Sequence, residues 1–205
     1  MASYFCNKYF FLKNHKSATL KLRNFEPMKT IRLFSLLIIL LFSRISYSQE
    51  TWIPFSCNVS FKIKNAGLTV NGTFDTVSAM LVFAPDHLSA SSLSGKVIVN
   101  SINTGINKME KHLKKQEFFD ADQFKDIEIK STKIYYKDAR YAGLFDVTIK
   151  GVTKQIEIPF DFIPLTNEAE FKGDFTINRR DFGVGGKSMM MSDNVAVAID
   201  IKARK

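Results

Sequence analysis

Beyond residue 48 the chain alternates apolar and polar side chains one by one, and this period of two constrains the fold more than any other feature. In residues 57–64, CNVSFKIK, the Cys, Val, Phe and Ile residues fall on one face of an extended strand. The pattern returns in DIEIKSTKIYY, GLFDVTIKG and KQIEIPFDF, and turn signals separate about eight or nine such strands. An antiparallel sheet with one apolar face must roll onto itself, and closure removes its exposed edges. We therefore predict an all-β fold, an antiparallel eight-stranded barrel.

One polar stretch, SINTGINKMEKHLKKQEFFDADQF at residues 101–124, interrupts the alternation. It predicts one short helix between strands, from Gly105 to about Gln116, with Asn103 or Thr104 as its N-cap. The helix is either a connector whose apolar stripe plugs one barrel end or a lid at the mouth of a pocket. The candidate lid and mouth residues are Met109, His112, Leu113, Phe118 and Phe119.

The inward face of the predicted barrel is aliphatic and aromatic. An eight-stranded barrel is wide enough either to fill itself with side chains or to hold one slim ligand. The periodicity leaves both alternatives open. If the barrel is hollow, the candidate pore-lining residues are Phe61, Ile63, Phe74, Val97, Val99, Ile127, Ile129, Phe145, Val147, Ile158 and Phe160.

The first 48 residues are typical of a leader rather than of the folded domain. Residues 33–42, LFSLLIILLF, follow Lys29 and Arg32 and precede Ser46 and Ser48, which is the pattern of a secretory signal peptide. We expect residues 1–27 to be an over-extended gene start or a disordered extension, and residues 28–48 to be a signal peptide cleaved after Ser48. The barrel domain then covers residues 49–205, has no stable membrane span, and is periplasmic or secreted.

The basic character of the chain comes mostly from this leader. The first 48 residues hold 8 of the 29 Lys and Arg and 1 of the 20 Asp and Glu, so residues 49–205 carry 21 minus 19, or +2. Such a balance does not indicate nucleic-acid binding. Residues 49–205 contain one cysteine, Cys57, which has no partner for an intramolecular disulfide. We expect it to be buried; on the surface it would allow a homodimer.

Recognisable catalytic and metal-binding patterns are missing from the mature sequence. It has no His-x-x-x-His or Cys-x-x-Cys pair, and GGKS at residues 185–188 fails as a phosphate loop because Asp181 occupies the required glycine position. Only two polar pairs could serve an enzyme acting on a bound lipid, His112 with Glu110 and Arg179 with Asp181. The second pair is read more simply as a structural ion pair or as a lock on a hairpin. We predict no catalytic residues, no metal and no cofactor.

Four stretches in order resemble the YceI-like, polyisoprenoid-binding proteins of bacteria. They are WIPFSCNVSFKIKNAGLTVNGTF, SINTGINKMEKHLKKQEFFDADQFKDIEIKST, GLFDVTIKGVTKQIEIPF and FTINRRDFGVG. The resemblance implies a lipocalin-like barrel with a long apolar pore, which in such proteins holds an isoprenoid chain of the quinone or polyprenyl-phosphate kind. It also implies a periplasmic or secreted location.

Together these features favour a lipid-binding protein that holds an isoprenoid or another long-chain apolar lipid for storage or transport. The alternative is a solid barrel that carries no ligand and binds a protein partner, for instance through the lysines of its helix. A continuous interior cavity would distinguish the two.

Overall fold

Ten β-strands make up most of residues 50–205, the part of the chain that the computed structural model describes. They are β1 (Thr51–Asn65), β2 (Leu68–Phe74), β3 (Val77–Val82), β4 (Ser92–Ile98), β5 (Ile102–Asn103), β6 (Asp126–Lys137), β7 (Arg140–Ile149), β8 (Val152–Pro164), β9 (Glu168–Asn178) and β10 (Met191–Arg204). One α-helix, α1 (Asn107–Leu113), lies between β5 and β6, and short 3-10 helices cover Leu88–Ala90, Val99–Ser101 and Arg179–Phe182. The extension and signal peptide predicted for residues 1–27 and 28–48 lie outside the described residues.

The ten strands occupy eight positions around a closed barrel. β2 and β3 both pair antiparallel with β1, at its two ends, so together they fill one position. β5 pairs with β2 and β4 pairs with β3, so β4 and β5 share the next position. From β4 the order continues through β6, β7, β8, β9 and β10, and β10 returns to pair with β1 over residues 53–65. The prediction of an antiparallel eight-stranded barrel with one short helix is therefore confirmed.

Proline shapes the wall between β8 and β9. The ladder between these strands covers only Phe160–Pro164 on the β8 side. Pro159 lies immediately before it, still paired with Ala142 of β7. Because proline has no backbone N–H, Pro159 cannot donate a ladder hydrogen bond to β9. The first half of β8 is consequently paired on one side only within the described barrel.

An aromatic plug fills the end of the barrel opposite α1. We use this name for Trp52, Phe83, Tyr141, Phe160, Phe162 and Phe171. Phe83, completely buried, lies with its ring centroid 4.9 to 5.7 Å from four of the other rings. The indole Nε1 of Trp52 donates a hydrogen bond of 3.0 Å to the Phe83 carbonyl oxygen. Large rings in edge-to-face contact with a satisfied indole N–H make this end a solid core.

The helix α1 is shorter than the sequence predicted, and its N-cap differs. Its N-cap is Ile106, which makes no side-chain capping bond. The expected caps serve the preceding turn instead: Asn103 Oδ1 accepts from Gly105 N at 3.0 Å. Glu110 Oε1 accepts from Thr104 N at 2.9 Å. Within residues 50–205, no helix has the length and apolar character that a membrane crossing requires.

Candidate ligand-binding cavity

A cavity of about 920 Å³ occupies the barrel between the aromatic plug and α1. Its volume falls within the range of small-molecule binding sites, roughly 300–1,000 Å³. It follows β10 from Met191 to Ile201. At a rise of about 3.3 Å per residue and a strand tilt near 40°, that stretch is about 25 Å long along the axis. The interior is thus hollow, unlike the solid barrel that was the alternative interpretation.

The cavity is lined by almost all of the residues predicted from the alternating pattern. These predicted side chains come from six strands. Those found in the lining are Phe61, Ile63, Phe74, Val97, Ile127, Ile129, Phe145, Val147, Ile158 and Phe160. The lid and mouth residues Met109, His112, Leu113, Phe118 and Phe119 also line it.

Val99 is the exception: the prediction that it lines the pore is wrong, because it is not part of the cavity lining. β4 ends at Ile98, and Val99 begins the 3-10 helix that follows. Its backbone N–H donates to the Lys125 carbonyl oxygen at 2.8 Å, and its side chain is 1% exposed. The alternation of faces applies only while the backbone remains extended. Val99 is therefore packed outside the cavity although it keeps the period of the strand before it.

The sequence reasoning missed the contribution of the last two strands. EFKGDFTIN and NVAVAIDIK are among the eight or nine strands counted from the sequence, but their inward faces were not assigned. Their inward residues are Phe171, Phe175 and Ile177 on β9, and Val195, Val197, Ile199 and Ile201 on β10. The spacing of two in FKGDFTI and VAVAIDI would have identified them by the same rule that identified the others.

The mouth of the cavity lies beside α1. Ile106, Lys108, Lys111 and Lys115 line the cavity and are exposed, which shows that this end opens to solvent. None of these three lysines forms an ion pair with any other residue in the described range 50–205. The mouth is therefore framed by free positive charge on one side of an otherwise apolar cavity.

The aromatic residues after α1 fasten it to the barrel. The Phe119 ring lies 6.3 Å from that of Phe74, edge to face. Phe124 packs on Gly151, where an added Cβ would come within 2.8 Å of the ring. Gly151 also has a φ of +75°, so this tight turn favours glycine on two counts. These contacts hold the segment across the barrel end, as expected of a plug or lid.

A loop on the other side of the mouth is joined to the same segment. Gly185 N donates to the Glu117 carbonyl oxygen at 2.8 Å. Lys150 Nζ donates to the carbonyl oxygens of Gln116 and Gly183, at 2.6 and 3.1 Å. The chain after α1 and the β9–β10 connection thus form one continuous border.

Arg179 holds that connection from inside. Its side chain is 3% exposed, and its guanidinium donates to the carbonyl oxygens of Ser192, Val184 and Gly186 at 2.9, 2.9 and 3.0 Å. It also donates to Asp193 Oδ1 at 2.9 Å. The ion pair expected between Arg179 and Asp181 is therefore wrong, because the hairpin register brings Asp193 to the guanidinium instead. The role expected of Arg179, a structural one, remains.

The other polar pair considered for catalysis is also absent. His112 Nδ1 lies 3.5 Å from Glu117 Oε1, and Glu110 is hydrogen-bonded to the backbone of Thr104. No group of three or more His, Cys, Asp or Glu side chains within residues 50–205 could hold a metal ion. Cys57 is half-buried against the core, and burial raises the pKa of its thiol.

Comparison with known proteins identifies relatives of this barrel. The sequence matches the YceI-like domain over residues 53–203. A UPF0312 protein of Vibrio vulnificus (strain YJ016) is 27% identical over 135 residues, covering 62% of this chain and 71% of that protein. A UPF0312 protein of Serratia proteamaculans (strain 568) is 24% identical over 151 residues, covering 70% and 79%.

Solved structures show the same fold. BcnA of Burkholderia cenocepacia superposes with a TM-score of 0.69 at 22% identity, covering 72% of this chain and 96% of that one. A polyisoprenoid binding domain from Saccharophagus degradans, implicated in plant cell wall breakdown, superposes with a TM-score of 0.57 at 13% identity, covering 75% and 97%. At these identities the likeness concerns the fold. Because the sequence match spans residues 53–203, nearly the whole of the described barrel, this chain belongs to the YceI-like domain family.

Proposed function

We propose that this chain is a lipid-binding protein that holds an isoprenoid, or a lipid of similar length and polarity, in the barrel cavity for storage or transport. The observation that carries the proposal is the cavity itself, about 920 Å³ and lined mainly by aliphatic and aromatic side chains. The polyisoprenoid-binding relative from Saccharophagus degradans, with the same fold, supports the choice of lipid. The lipid that we propose for this chain has an isoprenoid tail of the quinone or polyprenyl-phosphate type.

The apolar lining suffices to hold such a tail without a polar site. Each methylene moved from water into an apolar pore contributes roughly 0.8 kcal/mol, so about twelve buried carbons give ~10 kcal/mol. Association costs at least ~4 kcal/mol. The remaining ~6 kcal/mol corresponds to a Kd of tens of micromolar, and longer tails bind more tightly.

The closed end of the barrel supports a guest inserted from one side. The aromatic plug packs that end with large rings, while α1 and the exposed lysines frame the other. A lipid would place its tail against Phe160 and Phe171, which line the cavity and belong to the plug. Its head would lie near Lys108 and Lys111 at the mouth.

The leader pattern in the sequence supports a location outside the cytoplasm. We propose export with cleavage after Ser48, on the signal-peptide pattern of residues 28–48. Fractionation of the native host followed by amino-terminal sequencing tests it. We expect the protein in the periplasmic or secreted fraction with Gln49 as its first residue; a cytoplasmic protein beginning earlier contradicts the proposal.

The lipid itself is tested by organic extraction of protein purified from its native host, followed by mass spectrometry. We expect one lipid with a long isoprenoid-type tail per chain. Val197→Trp places a large ring in the cavity, whereas Ala196→Trp, its neighbour on β10, faces solvent. Loss of the lipid in the first variant and retention in the second supports the proposal. Absence of stoichiometric lipid from the unmodified protein, or equal retention in both variants, contradicts it.

A further inference from the structure

Four exposed apolar side chains surround the mouth of the cavity. We call Leu68, Ile106, Met189 and Met190 the apolar rim. Their exposed fractions are 73%, 53%, 102% and 67%. Isolated exposed apolar side chains are ordinary on a protein surface, but a cluster beside a binding cavity is typical of an interaction site.

The backbone brings three members of the rim to one place. Leu68 begins β2, just after the β1–β2 turn, and Ala66 in that turn donates its N–H to the Met190 carbonyl oxygen at 2.7 Å. Asn65 pairs with Met191 in the ladder between β1 and β10. The β1–β2 turn and the β9–β10 connection are thereby joined, and both lie at strand ends beside the mouth.

Ile106 closes the rim on the opposite side of the mouth. It is the N-cap of α1, and it lines the cavity together with Asn65, Val70 and Met191 from the first side. The cavity therefore opens between these apolar groups rather than at a distance from them. A surface that docks on the apolar rim covers the opening.

The charges beside the apolar rim are mainly positive. Residues 107–117 contain four lysines and two glutamates, and Glu110 and Glu117 are engaged with Thr104 and His112 respectively. Lys108, Lys111, Lys115 and Lys187 are exposed and form no ion pair within residues 50–205. Exposed apolar side chains among unpaired lysines are complementary to the interface of a bilayer that contains anionic lipids.

We propose that the open end of the barrel docks on an anionic lipid bilayer, with the apolar rim inserted among the acyl chains and the lysines facing the head groups. This goes beyond the holding of a lipid, although it rests on the proposed function for its purpose. A lipid tail could pass between bilayer and cavity without crossing water. Each methylene kept from water in that passage avoids a cost of roughly 0.8 kcal/mol.

The far end of the barrel provides a matched comparison. It also carries exposed apolar side chains, Ile163 and Leu165, at 41% and 55% exposure. Beside them Glu170 forms ion pairs with Lys172 and Lys202. The lysines there are paired with a carboxylate, so this end lacks the unpaired positive charge that the mouth offers to an anionic surface.

Vesicle co-sedimentation tests the proposal on the protein without its first 48 residues, since the barrel closes and forms its own core within residues 51–204. The probes are vesicles of phosphatidylglycerol mixed with phosphatidylcholine, and vesicles of phosphatidylcholine alone. The rim variant carries Leu68→Ser, Met189→Ser and Met190→Ser, none of which lines the cavity. The control carries Ile163→Ser and Leu165→Ser. A third variant carries Lys108→Gln, Lys111→Gln and Lys115→Gln.

We expect binding to the anionic vesicles that weakens with added salt, and little binding to phosphatidylcholine. The rim variant should bind at least roughly tenfold more weakly. The lysine variant should lose roughly fivefold per lysine. The control should bind like the unmodified protein. No binding to anionic vesicles, or an equal loss in the rim variant and the control, overturns the proposal.

The lipid content of the same samples separates this proposal from the previous one. The rim variant should retain its lipid, because the substituted residues lie outside the cavity lining. If the unmodified protein retains its lipid but does not bind anionic vesicles, docking alone is overturned. Vesicle binding by a protein that contains no lipid overturns lipid storage alone.

Discussion

Replacing the buried Arg179 with Met should destabilise the β9–β10 connection that borders the cavity mouth. In the folded protein its guanidinium donates to three backbone carbonyl oxygens of the β9–β10 connection and the start of β10, and to Asp193. Met has a similar apolar stem but no donor. The variant therefore leaves three carbonyl groups without their partner and removes little volume.

The expected loss of stability follows from those four bonds. A hydrogen bond from a charged donor contributes roughly 1.5 kcal/mol or more, so the three carbonyl bonds together give about 4.5 kcal/mol. Asp193 is 38% exposed. Its ion pair adds at most about 1 kcal/mol, because water screens it. We expect the free energy of unfolding to fall by about 4.5–5.5 kcal/mol, measured by urea denaturation with far-UV circular dichroism.

Arg180 provides the matched control. It is exposed and reaches the same carboxylate, with Nη1 3.3 Å from Asp193 Oδ2. Arg180→Met should cost less than about 1 kcal/mol. Arg179→Lys keeps the charge but loses the planar fork that serves several acceptors, and should fall between the two. If Arg179→Met and Arg180→Met lose the same stability, the buried guanidinium does not hold the connection and the reasoning is refuted.

Three further predictions concern the plug, the surface charges and the thiol. Trp52→Ala should cost about 3–5 kcal/mol in urea denaturation followed by circular dichroism, because it opens a void beside Phe83; a loss below about 1 kcal/mol would contradict a solid plug. The hydrogen bond from Lys172 holds the pKa of Glu170 below its usual value, so stability is lost as pH falls below about 4. Glu170→Gln should make the free energy of unfolding depend less on pH across that window. An unchanged pH profile would count against the pair. Burial raises the pKa of Cys57, so a disulfide reagent at neutral pH should react slowly with the folded protein and rapidly in urea, and equal rates would place the thiol in solvent.

The alternating pattern predicted the barrel and its interior because each strand stays extended for most of its length. The residues it assigned to the pore on β6, β7 and β8 all face the cavity. The rule failed at Val99 because the extended backbone ends at Ile98 and Val99 begins a 3-10 helix. Periodicity contains no signal for where a strand ends when no proline or glycine marks the place.

Contacts between residues far apart in the sequence were the second feature that could not be predicted. Arg179 and Asp193 are separated by 14 residues, and only the register of β9 on β10 determines that they meet. Asp181 was the nearer carboxylate in sequence and the wrong partner. The cavity depended on the same kind of information: whether an apolar interior is filled or hollow is decided by the spacing of strands across the barrel, not by the character of any single strand.

The aromatic plug has a consequence for which guests the barrel accepts. The plug sets a limit to the length of tail that the cavity can hold. A tail that enters past α1 would stop where Phe160 and Phe171 contact Phe83. Tails shorter than the cavity leave unfilled space behind them, and longer ones must keep their surplus outside, in water or in whatever covers the opening. Selection by tail length would then need no recognition of the head group. Replacing Phe83 with a smaller residue would let the cavity accept a longer tail.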